Sequence, residues 1–339
     1  MNLFDDILKP VEPKQENQEQ EKQELVKQLQ ESVKAVSTVG ADAEELDVRV
    51  EDINIIPLKK ISKKRGLKVS VWGQQGSGKT HFGLTFPKPV FVIDTEMGTR
   101  PFASRKEFAD GTYLFEVYVE KRKLSVKTLD PIASLLRTNY VISILKKLAD
   151  RDMVGTIVID SVTDYWYFCR EYMNWEIVRL GGRLNKKRVP VDRRDWDIAN
   201  TVYRQSILQL LTTNANVVLI ARTGEEFVGT QPTGEYYPKW QKDTPFLVDI
   251  EIQANIQRVL KKEVATNPQE NRFFGVILKC RHSPDLVGRI FEPLEFNSLK
   301  SLLDEQGISY RPSVDISDDD LAKAIEEIKG ELGEISLEI

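Results

Sequence analysis

The run Lys68-Val69-Ser70-Val71-Trp72-Gly73-Gln74-Gln75-Gly76-Ser77-Gly78-Lys79-Thr80-His81 decides how this chain is read. It joins a short, largely apolar strand to a glycine loop, and the loop to a helix that continues to Phe86 and stops at Pro87. Residues 73–80 fit G-x-x-x-x-G-K-[ST] without a mismatch, and the strand–loop–helix setting is the one in which that pattern cradles phosphate. Its glycines let the backbone turn tightly, so that successive N–H groups face an anion. The next helix presents its N-terminus to the same charge. Gly73, Gln74, Gln75, Gly76, Ser77 and Gly78 are therefore expected to line a nucleoside triphosphate, read as ATP. Lys79 is expected to reach its β and γ phosphates, and the Thr80 hydroxyl to ligate Mg2+.

Such a loop needs an acid at the end of a neighbouring apolar strand to hold the magnesium shell. Two strands after the loop end that way, Ile157-Val158-Ile159-Asp160-Ser161 and Val92-Ile93-Asp94-Thr95-Glu96. Asp160 is assigned to the metal. Glu96 is assigned as the general base that orients the attacking water, the alternative for it being a solvated loop carboxylate.

The order of these elements resembles the RecA-like ATPases, rather than kinases, GTPases or the AAA+ group. Within that superfamily the chain looks most like compact phage and mobile-element proteins, single-strand annealing recombinases among them. The resemblance spans roughly residues 66–295. It implies an α/β fold, with a mostly parallel central sheet flanked by helices, and a glutamate base at the position of Glu96. It also implies a γ-phosphate sensor on the strand Val217-Val218-Leu219-Ile220-Ala221, where Arg222 replaces the usual glutamine or histidine. A strand ending Lys279-Cys280-Arg281 resembles the Lys-x-Arg pair that reaches a neighbouring subunit's ATP, which implies self-assembly into a ring or filament. Ordinary strand-end charges are the alternative for Lys279 and Arg281.

Two segments carry cations suited to single-stranded DNA. Arg183, Lys186, Lys187, Arg188, Arg193 and Arg194 follow a glycine pair, and Lys239 with Trp240 lies in a second segment that also holds Tyr236 and Tyr237. Aromatic rings beside cations suit single strands, because stacking needs no sequence readout. Glu225 and Glu226 oppose that reading of the second segment, and a solvated basic loop beside an aromatic core cluster is the alternative.

The remaining features bound the answer. Of 339 residues 41% are hydrophobic, enough for a sizeable core. No apolar run is long enough to span a membrane, and the first residues lack the features of a signal peptide. A cytoplasmic protein is expected. Cys169 and Cys280 have neither disulfide nor zinc spacing and are read as small core residues, and the two histidines are too far apart for a zinc site. A net charge of −4 decides nothing about nucleic acid. Residues 1–50 are read as a polar tail, disordered or partly helical, with one apolar repeat at Val26, Leu29, Val33 and Val36. Residues 51–312 are read as the ATPase domain, and 313–339 as an acidic helix capped by Ser317. Either tail is a candidate docking segment for a protein partner. The expected activity is ATP hydrolysis coupled to single-stranded DNA in recombination, annealing or repair. A hexameric DnaB-like helicase motor and an ATP-gated assembly module without DNA are the alternatives.

Overall fold

In a computed structural model, which describes residues 65–123, 126–185, 187, 189–257 and 271–333, the stretch before the glycine loop is strand β1 (Lys68–Gly73). Every residue of β1 is buried, as a strand covered on both faces requires. The polar tail 1–50 with its apolar repeat lies outside the described residues, as do Lys186 and Arg188.

Strands β2 (Val90–Asp94) and β6 (Thr156–Asp160) are equally buried runs of apolar residues ending in an acid. Around them the described strands form a sheet in the order β11-β10-β9-β1-β7-β6-β2-β3. Its members are β3 (Thr112–Glu116), β7 (Asn216–Val228), β9 (Ile250–Gln257), β10 (Arg272–Cys280) and β11 (Ile290–Phe291). The span from β9 to β3 is parallel, and β10 and β11 close one edge antiparallel. β4 (Glu120–Lys123) and β5 (Val126–Leu129) make a separate ribbon. The sheet is thus the mostly parallel α/β core expected of the RecA-like P-loop class.

Helices cover the sheet. α1 (Lys79–Leu84) leaves the glycine loop and buries Phe82, Gly83 and Leu84. It is followed by the short α2 (Lys106–Ala109). α3 (Pro131–Asp150) starts where Asp130 accepts from the Ile132 and Ala133 N–H groups, with Pro131 at its first position. α4 (Val162–Arg179) and α5 (Trp196–Leu211) pack beside it. The contact is fixed by polar atoms as well as rings: Asn139 Oδ1 on α3 accepts from Tyr165 Oη on α4 at 2.8 Å and from Ser206 Oγ on α5 at 3.0 Å. Trp166 and Arg170 of α4 lie against Trp196, the first residue of α5, so the later turns of α4 run past the start of α5. Cys169 is buried in this layer, and burial pushes its thiol far above the usual range. It behaves as a small core residue.

α6 (Thr244–Leu247) and α7 (Phe296–Glu305) complete the middle of the chain. α8 (Asp318–Leu332) is the acidic helix expected from the sequence, with Ser317 Oγ accepting from the Asp320 N–H at 3.1 Å.

Strand β7 departs from expectation. Its apolar pattern predicts an end at Ala221, but it runs on to Val228 and turns back as β8 (Gln231–Pro238). The segment read as a second DNA loop is therefore largely a two-stranded hairpin. Phe227, Val228, Tyr236 and Tyr237 are exposed on it.

Candidate phosphate and catalytic site

Strand register brings the expected residues to one edge of the sheet. Gly73 at the end of β1 pairs with Arg222 on β7, Asp160 at the end of β6 pairs with Ile220, and Asp94 at the end of β2 pairs with Asp160. This is the carboxyl edge of a parallel sheet, where open α/β folds bind ligands. The loop from Gly73 turns through Gly76 and Gly78, both in the left-handed region with φ of 77° and 85°, where a β-carbon would be strained. Lys79 Nζ donates to the Gly73 and Gln74 carbonyls, each at 2.9 Å. Burial holds its pKa below the ordinary lysine value, opposed by the charges of Asp160 and Glu96.

Thr80 Oγ1 donates to Asp160 Oδ2 at 2.6 Å. These two side chains, 80 residues apart in sequence, are in direct contact. Burial pushes the Asp160 carboxyl up to about 7, with Glu96 and Asp94 adding negative charge and the Thr80 bond opposing. A hydroxyl and a carboxylate side by side are oxygen donors of the kind Mg2+ takes, alongside water and phosphate.

Glu96 is presented by a turn that Asp94 builds. The Asp94 carboxylate accepts from the N–H groups of Glu96, Gly98 and Thr99 at 2.9, 3.3 and 3.0 Å. Thr95 ties this turn to β6, its hydroxyl accepting from the Ser161 N–H at 2.8 Å and its own N–H donating to the Asp160 carbonyl at 2.9 Å. Arg222 spans the site: Nε donates to Glu96 Oε1 at 2.8 Å and Nη2 to Asp164 Oδ2 at 2.5 Å. Burial lifts the Asp164 carboxyl to about 6, against the pull of Arg222. The roles of Asp94 and Asp164 are not read in the sequence. Asp164 sits four residues after Asp160 in the first turn of α4, and that spacing is the only signal for it.

Lys279 and Arg281 are not brought to this site within the chain. Cys280 pairs with Ile250, which pairs with Val69, whereas Gly73 pairs with Ala254. Four residues of strand, roughly 13 Å at about 3.3 Å each, separate the two levels. Lys279 Nζ donates to the Pro245 and Val248 carbonyls, and Arg281 to the Phe246 carbonyl.

The expected DNA-facing residues divide. Arg183, Lys187, Arg193, Arg194 and Lys239 are exposed. Leu184 and Pro190 form a bridge, and Asn185 Oδ1 accepts from the Lys187 and Val189 N–H groups. Arg194 is already paired with Asp192 at 2.9 Å. Trp240 corrects its reading: it is 8% exposed, so its ring cannot stack on a base. The neighbouring Gln241 and Thr244 bond to Asn200 and Tyr203 of α5, which draws this segment inward.

A family described as "AAA domain" matches residues 65–274, well over half of the chain. The chain belongs to this AAA-domain family. Its phosphate loop, Glu96, Asp160 and Arg222 all fall within the matched span. The description carries the AAA name that the sequence reading set apart from the RecA-like group; a P-loop ATPase core is common to both. No curated protein matches the chain. Among solved structures, the crystal structure of the RadB recombinase matches with 16% identity and a TM-score of 0.38, over 67% of this chain and 86% of that one. No described helix of this AAA-domain chain is long and apolar enough to cross a membrane.

Proposed function

We propose that the chain hydrolyses ATP at this sheet edge and couples the reaction to single-stranded DNA in recombination, annealing or repair. The observation that carries the reading is the 2.6 Å contact of Thr80 with Asp160, with Glu96 beside it on the adjacent strand turn. The loop N–H groups and Lys79 hold the triphosphate. Thr80 and Asp160 would hold magnesium, which neutralises phosphate charge when bound. Glu96 orients and deprotonates the water, and Asp94 fixes the turn from which it acts. Arg222 holds Glu96 before reaction and can shift its guanidinium toward the developing phosphate charge. Lys279 and Arg281, remote from their own loop, act on the nucleotide of a neighbouring copy in a ring or filament. Arg183, Lys187, Arg193 and Lys239 supply the cationic surface for the strand.

An ATP-gated assembly module without DNA is the second reading. It is favoured by the burial of Trp240 and by Glu225 and Glu226 on the hairpin.

ATP turnover measured with and without single-stranded DNA, in wild type and Lys79→Ala, separates these readings. Stimulation by DNA, abolished in the variant, supports the first. Turnover indifferent to DNA, with no DNA binding at low salt, leaves the second. Basal turnover unchanged in Lys79→Ala refutes both.

A further inference from the structure

Arg222 is held at both ends by the first turn of α4. Its backbone N–H donates to Thr163 Oγ1 at 2.9 Å, and its Nη2 donates to Asp164 Oδ2 at 2.5 Å. Asp164 is fixed in turn. Its N–H donates to the Ser161 hydroxyl that caps the helix, at 3.4 Å. Its Oδ2 also accepts from the Thr95 hydroxyl at 3.4 Å, a donor divided with the Ser161 carbonyl at 3.3 Å. Thr95 immediately precedes Glu96. One carboxylate therefore joins the end of the buried part of β7, the Glu96 turn and α4.

Elsewhere in this chain an arginine that meets a glutamate closes on it with two donors. Nε and Nη2 of Arg100 take the two oxygens of Glu116, those of Arg179 take the two of Glu176, and those of Arg272 take the two of Glu292. This is the ordinary geometry of the guanidinium fork. It has a chemical consequence: the bonds from Arg100 and Arg272 hold the Glu116 and Glu292 carboxyls below the usual range. A carboxylate closed in this way takes up a proton reluctantly. At the catalytic edge the same fork is divided. Nε of Arg222 reaches Glu96 Oε1 at 2.8 Å, while Nη2 goes to Asp164 instead of the second Glu96 oxygen. Glu96 is spared the two-point pair that the other three glutamates make.

We propose that Asp164 is a positioning residue for hydrolysis: by taking Nη2 of Arg222 it keeps the guanidinium from closing on Glu96, and so preserves Glu96 as a base. The inference rests on the reading of Glu96 as the base and extends it to the residue that keeps the base available.

The test is single-turnover ATP hydrolysis by the full chain with Mg2+, with ATP affinity measured beside it. The variants are Asp164→Asn, Asp164→Glu, Arg222→Gln and the Asp164→Asn, Arg222→Gln pair. Asp164→Asn keeps the shape of the side chain and removes its charge. It should slow hydrolysis by about tenfold, the scale of coupling within one ion-pair network, and leave ATP affinity within a fewfold of wild type. Asp164→Glu, which restores a carboxylate, should recover most of the rate. With Arg222 already replaced by glutamine there is no guanidinium to divide, and Asp164→Asn should then change the rate by less than about twofold. Wild-type hydrolysis in Asp164→Asn overturns the proposal, as does an Asp164→Glu chain as slow as Asp164→Asn. So does a loss of the same factor with and without Arg222, or a rate that falls together with ATP affinity. Failure of the underlying reading looks different: Glu96→Gln would then hydrolyse ATP at the wild-type rate.

Discussion

Replacing Lys68 by methionine probes the foundation of the strand that carries the phosphate loop. Lys68 opens β1 with its side chain fully buried, and its Nζ donates to the Thr213 and Ala215 carbonyls at 2.9 and 2.5 Å. Burial, helped by the nearby charge of Arg65 and opposed by Asp249, pushes its pKa from 10.5 down to about 7. The folded chain therefore sheds a proton that the unfolded chain keeps between about pH 7 and 10.5. Stability rises with pH wherever the unfolded state binds more protons. Below about pH 7 both states are protonated and the cost of burying the charge is present in full. Between pH 7 and 9 the linkage amounts to about 2 kcal/mol. Methionine preserves the length and apolar bulk of the side chain. It leaves two carbonyls without their donor, at roughly 1–3 kcal/mol each, but that cost does not vary with pH. The measurement is urea unfolding of wild type and Lys68→Met at pH 7 and pH 9, comparing the change with pH in each. Staying at or below pH 9 limits the contribution of buried Tyr165, Tyr203 and Cys169, whose raised pKa values favour the unfolded state at higher pH. Wild type should gain about 2 kcal/mol over this interval relative to the variant. Parallel pH dependences would show that Lys68 is not held as described.

Gly73→Ala places a β-carbon 2.2 Å from the Ala254 carbonyl oxygen and 2.8 Å from Ser77 Oγ. Because the clash is with backbone, β1 and β9 must separate, at a cost of about 1–3 kcal/mol. A lowered melting temperature together with lost ATP affinity is expected; wild-type affinity would show that the loop tolerates the shift. Arg281→Ala should leave ATP affinity intact and lower turnover tenfold or more. Mixing it with Glu96→Gln chains, whose Arg281 is intact, should restore part of the activity, and a mixture no more active than its parts would count against action across an interface. Combined replacement of Arg183, Lys187 and Arg193 by alanine should flatten the salt dependence of single-strand binding by about 0.7 in log–log slope per lost contact. A slope equal to that of wild type would remove this face from the DNA surface.

Sequence pattern carried the core well, because its strands are short, fully buried and bounded by glycine, proline or an acid. β1, β2 and β6 read as continuous, largely apolar runs. The hairpin after Ala221 was illegible for the opposite reason. Its residues are mostly exposed, so no buried face imprints a pattern, and its pairing depends on β8 across a turn at Gly229. Helix α4 is masked by polar residues such as Asn174 and Glu176 on its buried side. At the site, Lys79 and Thr80 are singled out by the glycine-loop pattern and Asp160 and Glu96 by the acids that end apolar strands, and the fold brings Thr80 and Asp160 into contact. The partnership of Arg222 with Glu96 and Asp164 was not legible, since it joins residues 126 and 58 positions apart. Trp240 was misread because a ring beside lysines looks alike in sequence whether it is exposed or buried.

The central claim is that Glu96, presented by the Asp94 turn beside Thr80 and Asp160, activates water for hydrolysis at this phosphate loop. Glu96→Gln keeps the side chain's size and its acceptor toward Arg222 while removing the carboxylate that takes the proton. Measured side by side, ATP affinity and single-turnover hydrolysis should separate: affinity within a fewfold of wild type, hydrolysis lower by about 100-fold or more. Hydrolysis at the wild-type rate, with binding intact, would contradict the account.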